Sequence, residues 1–213
     1  MTDLILPAAH IYAEQSSTSV DEVLQLIEEN TRQFHPHAHM ISGNLQGKLL
    51  EMISRMIAPQ KILEIGTFTG FSAICLAKGL AHGGQLHTIE IRENDAQTAA
   101  DYVKKAGLDN QIHIHVGNAL EIIPNLGENW DLIFIDADKV NYIAYYELTL
   151  PLLKKDGWML ADNVFFHGQV LEAPVKGKNP KAIDDFNKHV AKDPRVEVVM
   201  LTIRDGISII RKK

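Results

Sequence analysis

The sequence is short of several things that would have announced a chemistry at once. It holds one cysteine, Cys75, among 213 residues, so no intrachain disulfide can form and a reducing compartment is expected. Flanked by Ile74 and Leu76, that thiol reads as a buried helix residue. Basic charge is scarce too, with 21 Lys and Arg against 27 Asp and Glu and a formal net charge of -6. Such a chain lacks the positive surface that displaces counterions from nucleic acid, and a small-molecule partner is expected instead. No apolar run approaches the roughly 18 residues of a membrane span, and no basic region followed by an apolar core opens the chain. These absences predict a cytoplasmic protein with neither a nucleic-acid nor a membrane partner.

What is present is an alternation. With 46% hydrophobic and 23% charged residues, the chain can bury a core as one domain over residues 1–213. β-rich runs at Lys61–Ile65, Gln85–Glu90, Gln111–Val116, Asp131–Asp136 and Gly157–Ala161 are separated by segments long enough for crossover helices. This predicts a parallel α/β sheet. Gly70–Leu80 and Asn94–Ala106 carry apolar residues at helical spacing, and "KAGLDN" supplies a glycine stop. Upstream, Val20–Gln33 and Leu45–Ile57 read as amphipathic helices joined by a surface loop, "FHPHAHMISGN". The end of the chain differs: "VEVVMLTI", an Arg204-Asp205-Gly206 turn and "ISIIRK" form the pattern of an antiparallel hairpin.

The first strand and its turn read "ILEIGTFTGFS". Gly66 and Gly70 let backbone approach a ligand, and the helix that follows presents unpaired N–H groups, so a nucleotide-like cofactor fits there. The spacing is G-x-x-x-G, without the third glycine of dinucleotide turns. Glu90, ending the second strand, is placed to accept ribose hydroxyl protons. The stretch "IFIDADK" then stops a buried strand at Asp136, and "GWMLADN" ends the next strand at Asp162 and Asn163. Neighbouring parallel strands lie about 4.8 Å apart and end on the same side, so three oxygen ligands converge. Two close carboxylates repel unless protonated or bridged, and an all-oxygen set suits a hard cation such as Mg²⁺ rather than zinc. A nicotinamide oxidoreductase and a noncatalytic cofactor-binding protein remain alternatives at this point.

Four stretches in order, "LEIGTFTGFSAICLA", "IDADKVNY", "LADNVFFHG" and "RDGISIIRK", resemble the cation-dependent, S-adenosylmethionine-dependent O-methyltransferases of the catechol and caffeoyl-CoA type, especially their small bacterial members. The likeness runs from about Met40 to the C-terminus. It implies a Rossmann-like class I methyltransferase fold, a seven-stranded, mostly parallel sheet with an antiparallel C-terminal hairpin and helices on both faces. It implies Asp136, Asp162 and Asn163 as ligands of Mg²⁺, Mn²⁺ or Ca²⁺, and Lys139 as the general base. Glu64, Gly66, Thr67 and Ser72 would surround the methionine end of S-adenosylmethionine, Glu90 its ribose and Ala119 its adenine. Asp136, Asp138 and Tyr145 match positions near the cofactor, and Met40 begins a segment lying over it, so residues 1–57 are expected to cover the active site. The family chemistry is methyl transfer to a vicinal diphenol such as a catechol, flavonoid or hydroxycinnamoyl acceptor, in a homodimer. Asp138 stands where animal catechol enzymes carry an aromatic gatekeeper, and the N-terminal segment that recognises coenzyme A in plant members has no clear counterpart.

Two features read more blandly. His35, His37 and His39 in "HPHAH" are expected to be solvated, bordering the acceptor pocket rather than holding a metal. Phe165, Phe166 and His167, directly after the expected metal ligands, can pack on an aromatic acceptor.

Overall fold

The computed structural model describes residues 5–213. Runs rich in β-branched and other apolar residues form the five parallel strands β1 (Lys61–Ile65), β2 (Gln85–Glu90), β3 (Ile112–Val116), β4 (Trp130–Ile135) and β5 (Leu153–Asp162). The terminal hairpin supplies β6 (Val196–Leu201) and β7 (Ile207–Lys212). Together they make one seven-stranded sheet in the order β3-β2-β1-β4-β5-β7-β6, with β7 antiparallel to both β5 and β6. This is the class I methyltransferase architecture that the resemblance implied.

Both faces of the sheet are buried, which is why its central strands are apolar at nearly every position. One face carries Leu63, Ile65, Ile133, Ile135 and Met159. It is covered by α6 (Ala119–Leu126), α7 (Tyr142–Thr149) and α8 (Lys178–Lys192) through Ile123, Tyr146, Ile183, Phe186 and Val190. The other face carries Ile62, Leu86, Leu132, Phe134 and Leu160. Leu24 and Ile27 of α2 (Glu22–Phe34), Leu50 and Ile53 of α3 (Gly43–Ile57), the apolar α4 (Phe71–Ala77) and Val103 of α5 (Glu93–Lys105) cover it. Helix ends follow local chemistry: Asp21 caps α2 by accepting from the Leu24 N–H, and Asn118 caps α6 by accepting from Leu120.

Several boundaries differ from the sequence reading. β5 begins at Leu153, not Gly157, because its first residues pair with β4 across a register shift at Trp130, and left-handed Asp156 interrupts the strand pattern. α4 stops at Ala77, short of Leu80. Helix α1 (Pro7–Gln15) has no buried residue and hence no periodicity to betray it. α8 lies beyond an irregular segment and was not anticipated, although Pro180, Ile183, Phe186 and Val190 form a helical stripe. The expected loop between α2 and α3 contains a 3₁₀ turn, Ala38–Met40, after which Ile41, Ser42 and Gly43 are buried.

Strand order reverses between β1 and β4, which run side by side. In an open parallel sheet the crevice at the carboxyl ends of such a pair receives ligands. The approach here is close: Gly66 has φ +99°, and a Cβ on it would stand 2.0 Å from the Asp136 carbonyl oxygen. Gly66→Ala therefore combines a left-handed alanine with a backbone overlap and should cost about 2–5 kcal/mol. The melting temperature should fall on the order of 5–15 °C in scanning calorimetry; an unchanged value would show that the two strand ends can part.

Candidate active site

At the carboxyl ends of the strands lies a cavity of about 1020 Å³, large enough for a nucleotide-sized cofactor and a second molecule. Its floor is made by the turn after β1, the end of β2, and the segments after β3, β4 and β5. Gly66, Thr67, Ser72, Glu90, Ala119, Asp136, Asp138, Lys139, Tyr145, Asp162, Asn163 and Met40 all line it. Ile5, Pro7, His10, His39, Met40, Ser42 and Gln46 show that the N-terminal segment and the start of α3 form part of its wall.

Glu64 is the exception among the expected site residues. It is fully buried behind the wall, where its Oε2 accepts from the Thr88 hydroxyl, and its Oε1 has no partner. It sits on the face of β1 that also carries Ile62, between Ser72 and Thr88, so it braces the wall from behind. Burial pushes its carboxyl up to about 8.

The paired register Ile135↔Ala161 sets Asp136 beside Asp162 at the ends of β4 and β5. Lys139, one short turn after Asp136, points back between them. Its Nζ donates to Asp136 Oδ1 at 2.9 Å, Asn163 Oδ1 at 2.8 Å and Tyr142 OH at 2.6 Å. The ammonium thus stands as a cation among the oxygens that the sequence reading assigned to a metal. The Tyr142 hydroxyl in turn donates to the Asp162 carbonyl at 2.9 Å, which anchors the lysine to the end of β5. The Asp162 carboxylate is 4% exposed and accepts from its neighbour Asn163 N–H at 2.8 Å and from Gln46 Nε2 at 2.6 Å. Burial, and then the nearby Asp136 carboxylate, push Asp162 up to about 7. Gln46 Oε1 accepts from Arg204, whose second nitrogen bonds the Ile41 carbonyl.

Where β2 ends, both oxygens of Glu90 accept backbone N–H groups, Oε2 from Phe68 at 2.7 Å and Oε1 from Arg92 at 3.0 Å. Each oxygen keeps a further lone pair. Phe68 holds a left-handed φ of 51°, with His35 packed edge-on against its ring. Tyr145 hydrogen-bonds Asp138, which places both on the cavity rim. Beyond Asp162 and Asn163, the loop with Phe166 and His167 is clasped to the hairpin turn. Asp205 accepts from the His167 N–H at 2.6 Å, and burial raises its carboxyl. Phe68, Asn163, Phe166, His167 and Arg204 all have positive φ and all line the cavity, so backbone strain concentrates at this site.

Sequence reasoning missed Gln46, Phe68, Tyr142, Arg204 and Asp205. Each acts through a contact between distant segments or a special backbone angle, and neither leaves a local pattern. His35 also differs from the expected solvated state: its ring is 3.0 Å from Asp95 Oδ1, while His39 borders the cavity. Glu147, His189 and Asp193 bring ligand-type atoms together elsewhere. Arg195 already occupies that group, with Nη2 2.8 Å from Glu147 and 2.6 Å from Asp193.

Comparison with known proteins gives a consistent picture. A family model described as O-methyltransferase matches residues 13–213. The caffeoyl-CoA O-methyltransferase 1 of Eucalyptus globulus is 32% identical, covering 98% of this chain and 90% of its own. Among solved structures, the SAH-bound methyltransferase of Podospora anserina superposes with a TM-score of 0.90 at 30% identity, covering 98% of each chain. The O-methyltransferase of Bacillus cereus in complex with SAH gives 0.86 at 29% identity, covering 97% of each.

The raised Glu64 carboxyl has a consequence for stability. The folded state holds this proton more tightly than the unfolded chain, whose carboxyl titrates near 4.5. Its contribution is complete below that value and is lost as pH rises through about 8. Glu64→Gln removes the titration, so the melting temperature of the variant relative to wild type should climb from about pH 5 to about pH 9. A difference that stays level across that range would contradict the assignment.

Proposed function

The chain belongs to the O-methyltransferase family, and on that premise we propose that it transfers the methyl group of S-adenosylmethionine to one hydroxyl of a vicinal diphenol chelated to a divalent cation. The observation that carries this reading is the shared hold of Asp136 and Asn163 on one ammonium, beside a second carboxylate, Asp162. Those residues fit a hard divalent ion because a positive charge is already accommodated there and every donor is oxygen. The family assignment removes the nicotinamide alternative.

When bound, S-adenosylmethionine supplies an electrophilic methyl on sulfur, and Mg²⁺, Mn²⁺ or Ca²⁺ supplies Lewis acidity toward the acceptor oxygens. Asp136, Asp162 and Asn163 would hold the ion through their side-chain oxygens, and the ion would make the diphenol hydroxyls more acidic. Glu90 takes the ribose hydroxyls with its remaining lone pairs, Ala119 borders adenine, and Gly66, Thr67 and Ser72 receive the methionine end. Released from Asp136 and Asn163 and having given one ammonium proton to solvent, Lys139 would stay beside Tyr142 and, as the neutral amine, take the hydroxyl proton of the acceptor as general base. Phe166 and His167 flank the acceptor ring. The protein's remaining task is to align nucleophile, methyl carbon and leaving sulfur, which can contribute several kcal/mol.

The reading is tested by labelled-methyl transfer over catechols, flavonoids, hydroxycinnamates and their CoA esters with Mg²⁺ present. Vicinal diphenols should be methylated and matched monophenols should not. Full activity after exhaustive metal removal, or equal rates on monophenols, would overturn it.

Two substitutions separate the roles. Lys139→Met keeps the apolar stem and loses the amine, so kcat should drop about 10²–10⁴-fold while cofactor affinity hardly changes; a near-normal kcat in the folded variant would exclude Lys139 as the base. Glu90→Ala should weaken cofactor binding by roughly 1.5–3 kcal/mol, about one to two decades in Kd. Calorimetry returning an unchanged Kd would take Glu90 out of the site.

A further inference from the structure

Three histidines lie outside the cleft on one face of the sheet, at its β3 edge. His113 and His115 alternate along β3, so their rings project to the same side, and the parallel register sets His87 of β2 beside His113. His87 Nδ1 is 3.0 Å from His115 Nε2, and the two rings stack with centroids 5.2 Å apart. The His113 ring is 4.9 Å from that of His87 between centroids. All three are half-buried, and His87 Nε2 is buried with no hydrogen-bond partner. Lys61, whose positive charge acts on His87, is engaged by Gln85 and Glu128 at 2.8 Å each. Burial and the neighbouring imidazoles hold His87 down to about 4 and lower His115 as well. Both rings are therefore neutral near pH 7; one facing nitrogen carries the N–H of their contact, and both lone pairs become available to a metal when that proton moves to the ring's other nitrogen.

A His-x-His strand beside a strand carrying a third histidine offers three nitrogen ligands to zinc, with the fourth position left for water. Two nitrogens on one tetrahedral Zn²⁺ stand about 3.3 Å apart, close to the 3.0 Å between His87 and His115. The nitrogens of His113 stand outside ligand range of the other two, its ring 4.9 Å from that of His87 between centroids, so the third contact requires its side chain to turn. We propose that His87, His113 and His115 form a binding site for a borderline divalent ion such as Zn²⁺, distinct from the oxygen-lined site of the cleft. Imidazole selects against Mg²⁺ and Ca²⁺, which prefer oxygen. An ion held here fastens edge strand β3 to β2 just below Glu90 and Gly117, which line the cleft.

The test uses the full-length Asp162→Ala protein, in which the cleft site is weakened, titrated with Zn²⁺ by calorimetry and with Co²⁺ by visible absorption. One equivalent should bind, with the intense visible bands of tetrahedral cobalt, and excess Mg²⁺ should not displace it. His87→Ala and His115→Ala should each weaken binding at least tenfold and abolish the bands. His113→Phe, which keeps ring volume on the half-exposed edge strand, should weaken binding too and serves where the other variants fold poorly. His37→Ala/His39→Ala should change nothing. Absence of Zn²⁺ binding, affinity that survives loss of His87, His115 and His113, or affinity lost with His37 and His39 instead would each overturn the proposal.

Discussion

Two carboxylates at the ends of neighbouring parallel strands cannot both carry charge in a buried crevice without a cation between them, and the cleft is organised around that requirement. Pairing of β4 with β5 sets Asp136 beside Asp162, and their repulsion adds to burial in raising Asp162. Lys139 relieves it by bridging Asp136 and Asn163. The surrounding contacts serve the same end. Tyr142 ties the lysine to the β5 backbone, and Gln46 holds the Asp162 carboxylate from the far side. A donor on each oxygen lets a carboxylate remain inside at a bearable cost.

The scaffold concentrates its strain at the same place. Gly66 meets the Asp136 carbonyl too closely for any side chain, and five non-glycine residues with positive φ face the cavity. Each such angle is unfavourable by of order 1–3 kcal/mol, and the sheet, buried on both faces by two apolar layers, offsets it. Hydrogen bonds across the mouth complete the enclosure. Arg204 joins the hairpin turn to α3 and to Ile41, and Asp205 joins it to the loop bearing Phe166 and His167. That wall of the cavity is therefore assembled from segments far apart in the chain.

How far this could be read in advance depended on the range of the interactions. β1 and β2 end where their apolar runs end, and Asp136, Asp162 and Asn163 were legible as converging because parallel strands finish on one side. The roles expected of Lys139, Thr67, Ser72, Ala119, Asp138, Tyr145 and Met40 needed a family likeness, whereas Gly66 and Glu90 stood out from the turn spacing and the strand end. Gln46 stayed hidden because its partner Asp162 is 116 residues away, and Tyr142 because its hydroxyl works through a backbone carbonyl. Glu64 was assigned to the cavity wall by likeness, yet strand alternation turns it behind that wall. Helix α1 escaped since it buries nothing, and the start of β5 since a left-handed Asp156 breaks its alternation. The histidine group on β2 and β3 is visible only once the register between those strands is known.

The most direct test of the account is the equilibrium affinity of the protein for Mn²⁺, followed by electron paramagnetic resonance in the absence of acceptor. Wild type should bind at the oxygen-lined site, Asp162→Ala should bind at least tenfold more weakly, consistent with loss of a charged ligand worth about 1.5 kcal/mol or more, and Lys139→Met should bind more tightly because the competing ammonium is gone. Equal affinity in wild type and Asp162→Ala, or weaker binding in Lys139→Met, would contradict it.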